Sequence, residues 1–213
     1  MMNKKGFTLI ELLVVIAVIA LLISILIPAL HKAKQIAAAA VCLANQKQLG
    51  AAYYVHSEEN NGNLADGVPA SGTRDGRKTL TINSKTYTLH GFVAEPMNEN
   101  GSFRNDSLED KIRGFRKGAL WPYLGTHEVF HCPADKRWVN PPTDTANARG
   151  TLGGYRSYSI GAVLSVYGLR QTSTAENEVT ILKYSGFKNP GNKIVFLEEA
   201  DASGFNHFTW NIF

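Results

Sequence analysis

A long apolar stretch near the N-terminus divides the chain into two dissimilar parts. Residues 12–30 contain no charged side chain and consist of Leu, Ile, Val and Ala with one Ser and one Pro. Counted from Phe7, the stretch would extend about 36 Å as an α-helix at roughly 1.5 Å per residue, enough to cross the hydrocarbon core of a bilayer. The pattern predicts a membrane-spanning helix over residues 7–30.

The helical pattern continues beyond Leu30. Residues 32–40 are almost all strong helix formers. Small or apolar residues recur near helical spacing, which predicts a face able to pack on a sheet or on neighbouring helices; its members are Leu30, Ala33, Ala37, Val41, Ala44, Ala51 and Val55. Asn60-Asn61-Gly62 predicts the end of the helix. Residues 31–59 are therefore predicted to be its amphipathic half.

Residues 60–213 form a mixed polar sequence with short alternating segments. Residues 79–82 and 86–89 predict a hairpin, and residues 107–117 a short helix; further strands are predicted at 157–167, 179–184 and 193–197. The predicted fold class is α+β, with the long N-terminal helix packed on a small antiparallel-sheet head domain. The chain stops in the strand-like run His207–Phe213, so we expect a head domain truncated at its C-terminus.

The charge distribution indicates an orientation in the membrane. The formal net charge is +4, and Lys4 and Lys5 contribute two of these charges ahead of the apolar stretch. Basic residues favour the cytoplasmic side, which places everything after Leu30 across the membrane. No Lys/Arg run follows the apolar stretch, so no nucleic-acid partner is expected.

Two residues at the start of the apolar stretch are unusual. An ordinary secretory signal has its small-residue cleavage site after the apolar region, whereas Gly6 stands before it. Glu11 is a carboxylate near the start of a spanning helix, where burial is costly. Either Glu11 reaches water at the interface, or it has a partner.

The segment Lys4–Leu12 resembles the cleavage and N-methylation motif of type IV prepilins and type II secretion pseudopilins. The resemblance implies that residues 1–6 are a leader, that a prepilin peptidase cuts after Gly6, and that the new amine of Phe7 is methylated. It also implies that Glu11 offers its negative charge to the N-terminal amine of a neighbouring subunit during assembly. In a low-dielectric bundle each of these charges needs the other.

Pro28 falls where helices of this family often carry a proline. Proline removes a backbone hydrogen bond and bends or locally melts a helix. The alternative interpretation is that Pro28 only marks the exit from the membrane.

A narrower resemblance, to a large G-type pseudopilin-like group, rests on residues farther along: Cys42, Asn45, Gln48, Leu49, Gly50, Tyr54, Asn61-Gly62, Trp121–Leu124 and Phe130–Asp135. Many members of that group finish with a Phe-x-Asp-Gly-His segment, which this chain does not contain.

Cys42 and Cys132 are the two cysteines of the chain. They form no CxxC pair, which argues against a zinc knuckle or a thioredoxin-like site. An oxidising compartment beyond the membrane would favour a disulfide between them. The competing interpretation is that each is a small buried hydrophobe.

Other candidate chemistry is sparse. His127, His131 and Cys132 lie close together, but a Cys-Pro loop is more often structural than metal-binding. The acidic segment Glu198–Asp201 is compatible with calcium, and a solvated strand end explains it equally well. Hydrolase, phosphate-binding and metalloprotease motifs are absent from the sequence. We therefore expect no enzyme activity and no cofactor, with calcium as an open candidate.

These features predict a structural subunit of a type II secretion pseudopilus or type IV-like pilus, stored as a single-pass protein of the bacterial inner membrane. Its N-terminus would be cytoplasmic and its head domain periplasmic or extracellular. The expected partners are copies of itself, other pilin-like subunits, the prepilin peptidase and the inner-membrane platform. The alternative is a membrane-tethered binding domain, adhesive or carbohydrate-binding, that uses a pilin-type signal.

Overall fold

A computed structural model describes residues 8–67, 77–82, 85–103, 107–135, 155–161, 183–189, 191 and 194–198. The helices are α1 (Leu9–Glu59), α2 (Leu108–Arg116) and α3 (Trp121–Leu124). The strands are β1 (Arg77–Ile82), β2 (Lys85–His90), β3 (Tyr158–Ile160) and β4 (Phe196–Glu198). Short 3-10 turns lie at Glu128–Phe130 and Tyr184–Gly186. A long helix followed by small antiparallel sheets confirms the predicted α+β class.

The contacts within the chain divide it into two units, residues 1–40 and residues 41–213. In the first unit, none of the residues from Thr8 to Ala40 is buried. The second unit contains the hydrophobic core, to which α1 contributes Cys42, Leu49, Ala52 and Tyr53.

The end of α1 lies where the Asn-Asn-Gly sequence predicts it. Asn61 and Gly62 both have positive φ, of 56° and 79°, and the N–H of Gly62 donates to the carbonyl oxygen of Ser57 at 2.7 Å. A left-handed residue followed by such a bond closes the last helical turn in many proteins. Asn tolerates this conformation better than most residues, and Gly has no Cβ to oppose it.

The face of α1 that packs in the second unit differs from the predicted small-residue face. The buried positions are Cys42, Asn45, Leu49, Ala52, Tyr53, His56 and Ser57. By contrast Val41, Ala44, Ala51 and Val55 are exposed. Within the chain the buried positions thus lie one residue farther along than the predicted face, and packing of the predicted face on neighbouring helices stays a prediction.

Among the described residues, two antiparallel strand pairs form small sheets. β1 and β2 pair from Arg77 with His90 to Ile82 with Lys85, which confirms the predicted hairpin. β3 pairs with β4, Tyr158 opposite Glu198 and Ile160 opposite Phe196, within or beside two of the predicted strands. Of the predicted strand 179–184, residues 179–182 lie outside the described residues, and Tyr184 begins a 3-10 turn.

Two sets of contacts stabilise helix α2: a capping box in its first turn and an aromatic stack around Phe115. The Ser107 hydroxyl accepts from the N–H of Asp110, and the Asp110 carboxylate accepts from the N–H of Ser107, both at 3.1 Å, which is a capping box. The ring of Phe115 stacks between Phe130 at 4.5 Å and Tyr155 at 4.6 Å. These stacks join α2 to two later segments, the 3-10 turn at Glu128–Phe130 and the segment that contains Tyr155.

Close backbone approach after α2 requires glycine at position 118. A Cβ on Gly118 would lie within 3.0 Å of the backbone of Phe92 and Val93. Gly50, on α1, has no atom within 4 Å of the corresponding position. The two glycines therefore differ in what an added methyl group would meet.

We predict that Gly118→Ala lowers the free energy of unfolding by about 1–3 kcal/mol, because overpacking displaces backbone. Gly50→Ala is the matched control and should be neutral or stabilising by up to about 1 kcal/mol, since alanine favours a helix interior. Guanidinium unfolding of the detergent-solubilised chain measures both. A neutral Gly118→Ala variant would contradict the close approach.

Candidate functional site

Glu11 lies in the first turn of α1, where it is hydrogen-bonded to Thr8. The backbone N–H of Thr8 donates to Oε2 of Glu11 at 2.8 Å, and the Thr8 hydroxyl donates to the same oxygen at 2.7 Å. The N–H of Glu11 lies 3.4 Å from the Thr8 hydroxyl oxygen. This reciprocal arrangement is a capping box, in which N-cap and third residue satisfy each other's backbone donors.

Sequence reasoning missed this role of Glu11, although Thr8-Leu9-Ile10-Glu11 carries its signature, a Thr followed three residues later by Glu. Glu11 therefore has a local structural role besides the one that the resemblance implies. Gly6 and Phe7, the predicted cleavage and methylation positions, lie outside the described residues.

The N-terminal half of α1 is apolar and exposed. By length and composition, the helix can cross a membrane once, and none of its most apolar 18-residue window is buried. Pro28 lies inside the continuous helix, where it has no N–H to donate to the preceding turn. The predicted bend or melting at Pro28 stays a prediction.

In the second unit, the turn of α1 from Cys42 to Asn45 is bonded to later segments in three ways. Cys42 and Cys132 are joined by a disulfide, with Cα atoms 5.1 Å apart. The Asn45 side chain donates to the carbonyl oxygen of His131 at 2.9 Å, and the Tyr158 hydroxyl donates to the carbonyl oxygen of Cys42 at 3.4 Å. One helical turn thus contacts both the Cys132 segment and strand β3.

Ionisable groups are buried beside this disulfide. Burial, reinforced by the positive charge of Lys111, lowers the pKa of His131 to about 3. Burial also lowers the pKa of Lys111 to about 8, against the attraction of Asp135. The Ser157 hydroxyl donates to Asp135 at 2.6 Å. At neutral pH this arrangement holds a neutral imidazole next to a charged Lys111 and Asp135.

A groove of about 580 Å³ opens next to the disulfide. The helix contributes Val41, Asn45 and Gln48 to its lining, and the segment 126–135 contributes the rest, including Cys132.

The sequence also offered candidates for metal, calcium and carbohydrate binding. The sulfur of Cys132 is bonded to Cys42, so it does not join His127 and His131 in a metal cluster. In the acidic segment considered for calcium, Glu198 is described and residues 199–201 lie outside the described residues. The carbohydrate-binding alternative would need exposed aromatic side chains. Of the three tryptophans, Trp121 packs partly buried against the core, while Trp138 and Trp210 lie outside the described residues.

Comparison with known proteins identifies the N-terminal segment. Residues 1–27 match the family model described as the prokaryotic N-terminal methylation motif. This match supports a type IV prepilin-like or pseudopilin-like protein, and it supports the resemblance drawn from Lys4–Leu12. No curated protein and no solved structure matches the chain. The narrower G-type group is not supported by these comparisons and stays a prediction.

We predict that replacing both cysteines by alanine lowers the free energy of unfolding by about 4 kcal/mol, because the bridge closes a loop of about 90 residues in the unfolded chain. Guanidinium unfolding of the detergent-solubilised chain measures the loss, and wild-type protein reduced before unfolding is the control. Thiol labelling of both cysteines in unreduced protein would contradict the bridge.

We also predict that stability falls as the pH drops below about 6.5. The unfolded chain takes up a proton on His131 near that pH, whereas the folded chain resists it down to about 3. Between these values the unfolded state binds more protons, so about 2 kcal/mol should be lost by pH 5. Unfolding curves at several pH values measure it.

The variant His131→Gln should lose most of this pH dependence, with a residual part from His56, whose pKa is also lowered, by burial and by His90. His127→Gln, a half-buried neighbour on the same segment, is the control and should keep nearly the full dependence, since His127 is the smallest of the influences that act on the pKa of His131. Equal slopes in the His131→Gln variant and the wild type would refute the assignment.

Proposed function

We propose that this chain is a structural subunit of a type II secretion pseudopilus or a type IV-like pilus. A prepilin peptidase would cut after Gly6 and methylate the amine of Phe7. The mature protein would wait in the bacterial inner membrane as a single-pass protein, N-terminus cytoplasmic, and then enter a helical filament with copies of itself and other pilin-like subunits on the inner-membrane platform. It would perform no catalysis.

One observation carries the proposal: the methylation motif of residues 1–27 leads directly into an apolar helix segment that is unburied over its whole window. A helix that is apolar all round requires an apolar environment. A bilayer provides one before assembly, and the apolar helices of neighbouring subunits would provide one afterwards.

In this proposal Glu11 would bind the N-terminal amine of a neighbouring subunit. The capping box with Thr8 offers a competing explanation, in which Glu11 only stabilises the start of α1. Two substitutions separate charge from capping. Glu11→Gln removes the charge, and glutamine also serves at this position of a capping box. Thr8→Ala keeps the charge and removes the cap, at a cost of about 1 kcal/mol to the helix.

We predict that Glu11→Gln is inserted and processed normally but fails to assemble, whereas Thr8→Ala still assembles. Intact-mass measurement of membrane-extracted protein checks that both begin at a methylated Phe7, and recovery of sheared filaments or of secreted cargo measures assembly. A Gly6 substitution by a bulky residue is the uncut control. Normal assembly of Glu11→Gln would reduce Glu11 to a capping residue, and an uncut wild type in cells with active peptidase would overturn the proposed processing.

A further inference from the structure

One face of the β1–β2 hairpin presents hydroxyl and cationic side chains. Its members are the directly paired residues Arg77 and His90, Thr79 and Thr88, and Thr81 and Thr86. Residues that are directly paired, or two positions apart on one strand, lie on the same face of a sheet. The four threonines and Arg77 are exposed, and His90 is half-buried. We call these six residues the hairpin face.

Hydrogen bonds anchor the hairpin to the second unit at the end where Arg77 pairs with His90. The N–H of Asp66 donates to the carbonyl oxygen of His90, and the N–H of Ala119 donates to that of Gly91, both at 2.9 Å. Nε2 of His90 donates to the carbonyl oxygen of Lys117, also at 2.9 Å. The hairpin face therefore begins at a fixed base.

Positive charge is concentrated in this hairpin. Strands β1 and β2 contain Arg77, Lys78 and Lys85 and neither Asp nor Glu. Lys117 is exposed, and the bond from His90 to its carbonyl oxygen places Lys117 at the same end of the hairpin as Arg77. The base of the hairpin face is thus cationic, and the threonines extend from it along both strands.

The threonine hydroxyls retain hydrogen-bonding capacity. The Oγ1 atoms of Thr81 and Thr86 lie 3.1 Å apart and share one hydrogen bond. A hydroxyl offers one donor and two acceptor lone pairs, so one shared bond leaves both groups able to bind a further partner. From Arg77 to Thr81 the strand extends about 14 Å at roughly 3.4 Å per residue. A polymer can lie along such a strip.

We propose that the hairpin face binds an acidic polysaccharide, a chain of sugar rings that carry hydroxyls and carboxylates. Arg77 and Lys117 would bind a carboxylate through charge-assisted hydrogen bonds, and the threonine hydroxyls would bind hydroxyls of the adjoining rings. This mode uses charge and hydrogen bonds in place of the aromatic stacking that tryptophans would provide.

The balance of groups on the hairpin face favours this partner over a nucleic acid. A nucleic acid presents a phosphate at every nucleotide and is bound through several Lys or Arg contacts. Here two cationic residues, Arg77 and Lys117, stand beside four neutral hydroxyls. That ratio is complementary to carboxylates separated by hydroxyl-bearing carbon atoms. A neutral polysaccharide would make no use of the two charges.

The test is a calorimetric titration of the full-length chain in a non-ionic detergent with a short galacturonate oligomer. The expected result is saturable one-to-one binding that weakens as salt is added, because salt screens exposed charges. A galactose oligomer of the same length replaces the carboxylates by neutral groups and should bind at least about tenfold more weakly. A DNA oligonucleotide is titrated in parallel.

Two sets of substitutions separate the hairpin face from general attraction to a basic protein. Arg77→Gln should weaken binding about tenfold or more, since it removes a charged hydrogen-bond donor. The double variant Thr79→Val with Thr88→Val keeps β-branched side chains, which suit a strand, and removes two hydroxyls. Its binding should weaken at least about fivefold.

Lys47→Gln is the matched control for the loss of one positive charge. Lys47 is exposed and lies about 14 Å along α1, at roughly 1.5 Å per residue, from His56, whose ring contacts His90. This variant should bind the oligomer like the wild type. Circular dichroism checks that all the variants are folded like the wild type.

Four outcomes would overturn the proposal. They are absence of binding to the galacturonate oligomer, tighter binding to DNA, unchanged binding by the Arg77 and threonine variants, and an equal loss in Lys47→Gln, which would indicate attraction to net charge alone. The proposal does not rest on the proposed filament function, because that function depends on residues 6–30. Failure of one would therefore leave the other standing.

Discussion

The attachment of one turn of α1 to the segment 130–132 and to β3 is the constraint on which the second unit depends. Asn45 is buried and its amide needs a partner, because an unsatisfied buried polar group is costly; the carbonyl oxygen of His131 supplies it. Cys42 lies one turn earlier and is bonded to Cys132. The disulfide and the Asn45 hydrogen bond start from residues one helical turn apart. Together they fix both the rotation of the helix about its axis and its register along this segment. The buried face can then be filled by Leu49, Ala52 and Tyr53.

Helix α1 meets two different requirements along its length. From Val41 onward its buried face includes polar groups with defined partners, such as Tyr53, whose hydroxyl donates to the carbonyl oxygen of Ala65 at 3.1 Å. From Leu12 to Leu30 the side chains are apolar on all sides, with Ser24 as the one hydroxyl, and they are exposed. The polar contacts belong to one chain, whereas an all-round apolar surface can be satisfied by lipid or by similar helices without any specific partner. One part of the helix therefore packs against specific residues of its own chain, and the other part can pack against lipid or against any similar helix.

The sequence allowed the fold class, the long helix, its Asn-Gly end and the first hairpin to be predicted, because each rests on a local pattern. The packed face of α1 could not be predicted in the same way. Small residues recur at helical spacing beside Cys42 and Leu49, and only tertiary contacts decide which of two adjacent stripes is buried. The position of Glu198 was equally inaccessible, since it follows from the pairing of Glu198 on β4 with Tyr158 on β3, 40 positions earlier in the chain. The capping role of Glu11 was accessible from its spacing to Thr8.

The capping contacts of Glu11 are compatible, at the level of atoms, with its proposed role in assembly. Both hydrogen bonds from Thr8 end on Oε2, and an ionised carboxylate has further acceptor sites on its second oxygen. The Thr8 N–H belongs to the peptide bond with Phe7, so a cut after Gly6 would leave the capping box intact. The box would hold the carboxylate in one rotamer before a neighbour arrives, which reduces the side-chain entropy lost when an amine binds. The local hydrogen bonds and the proposed contact between subunits therefore reinforce each other.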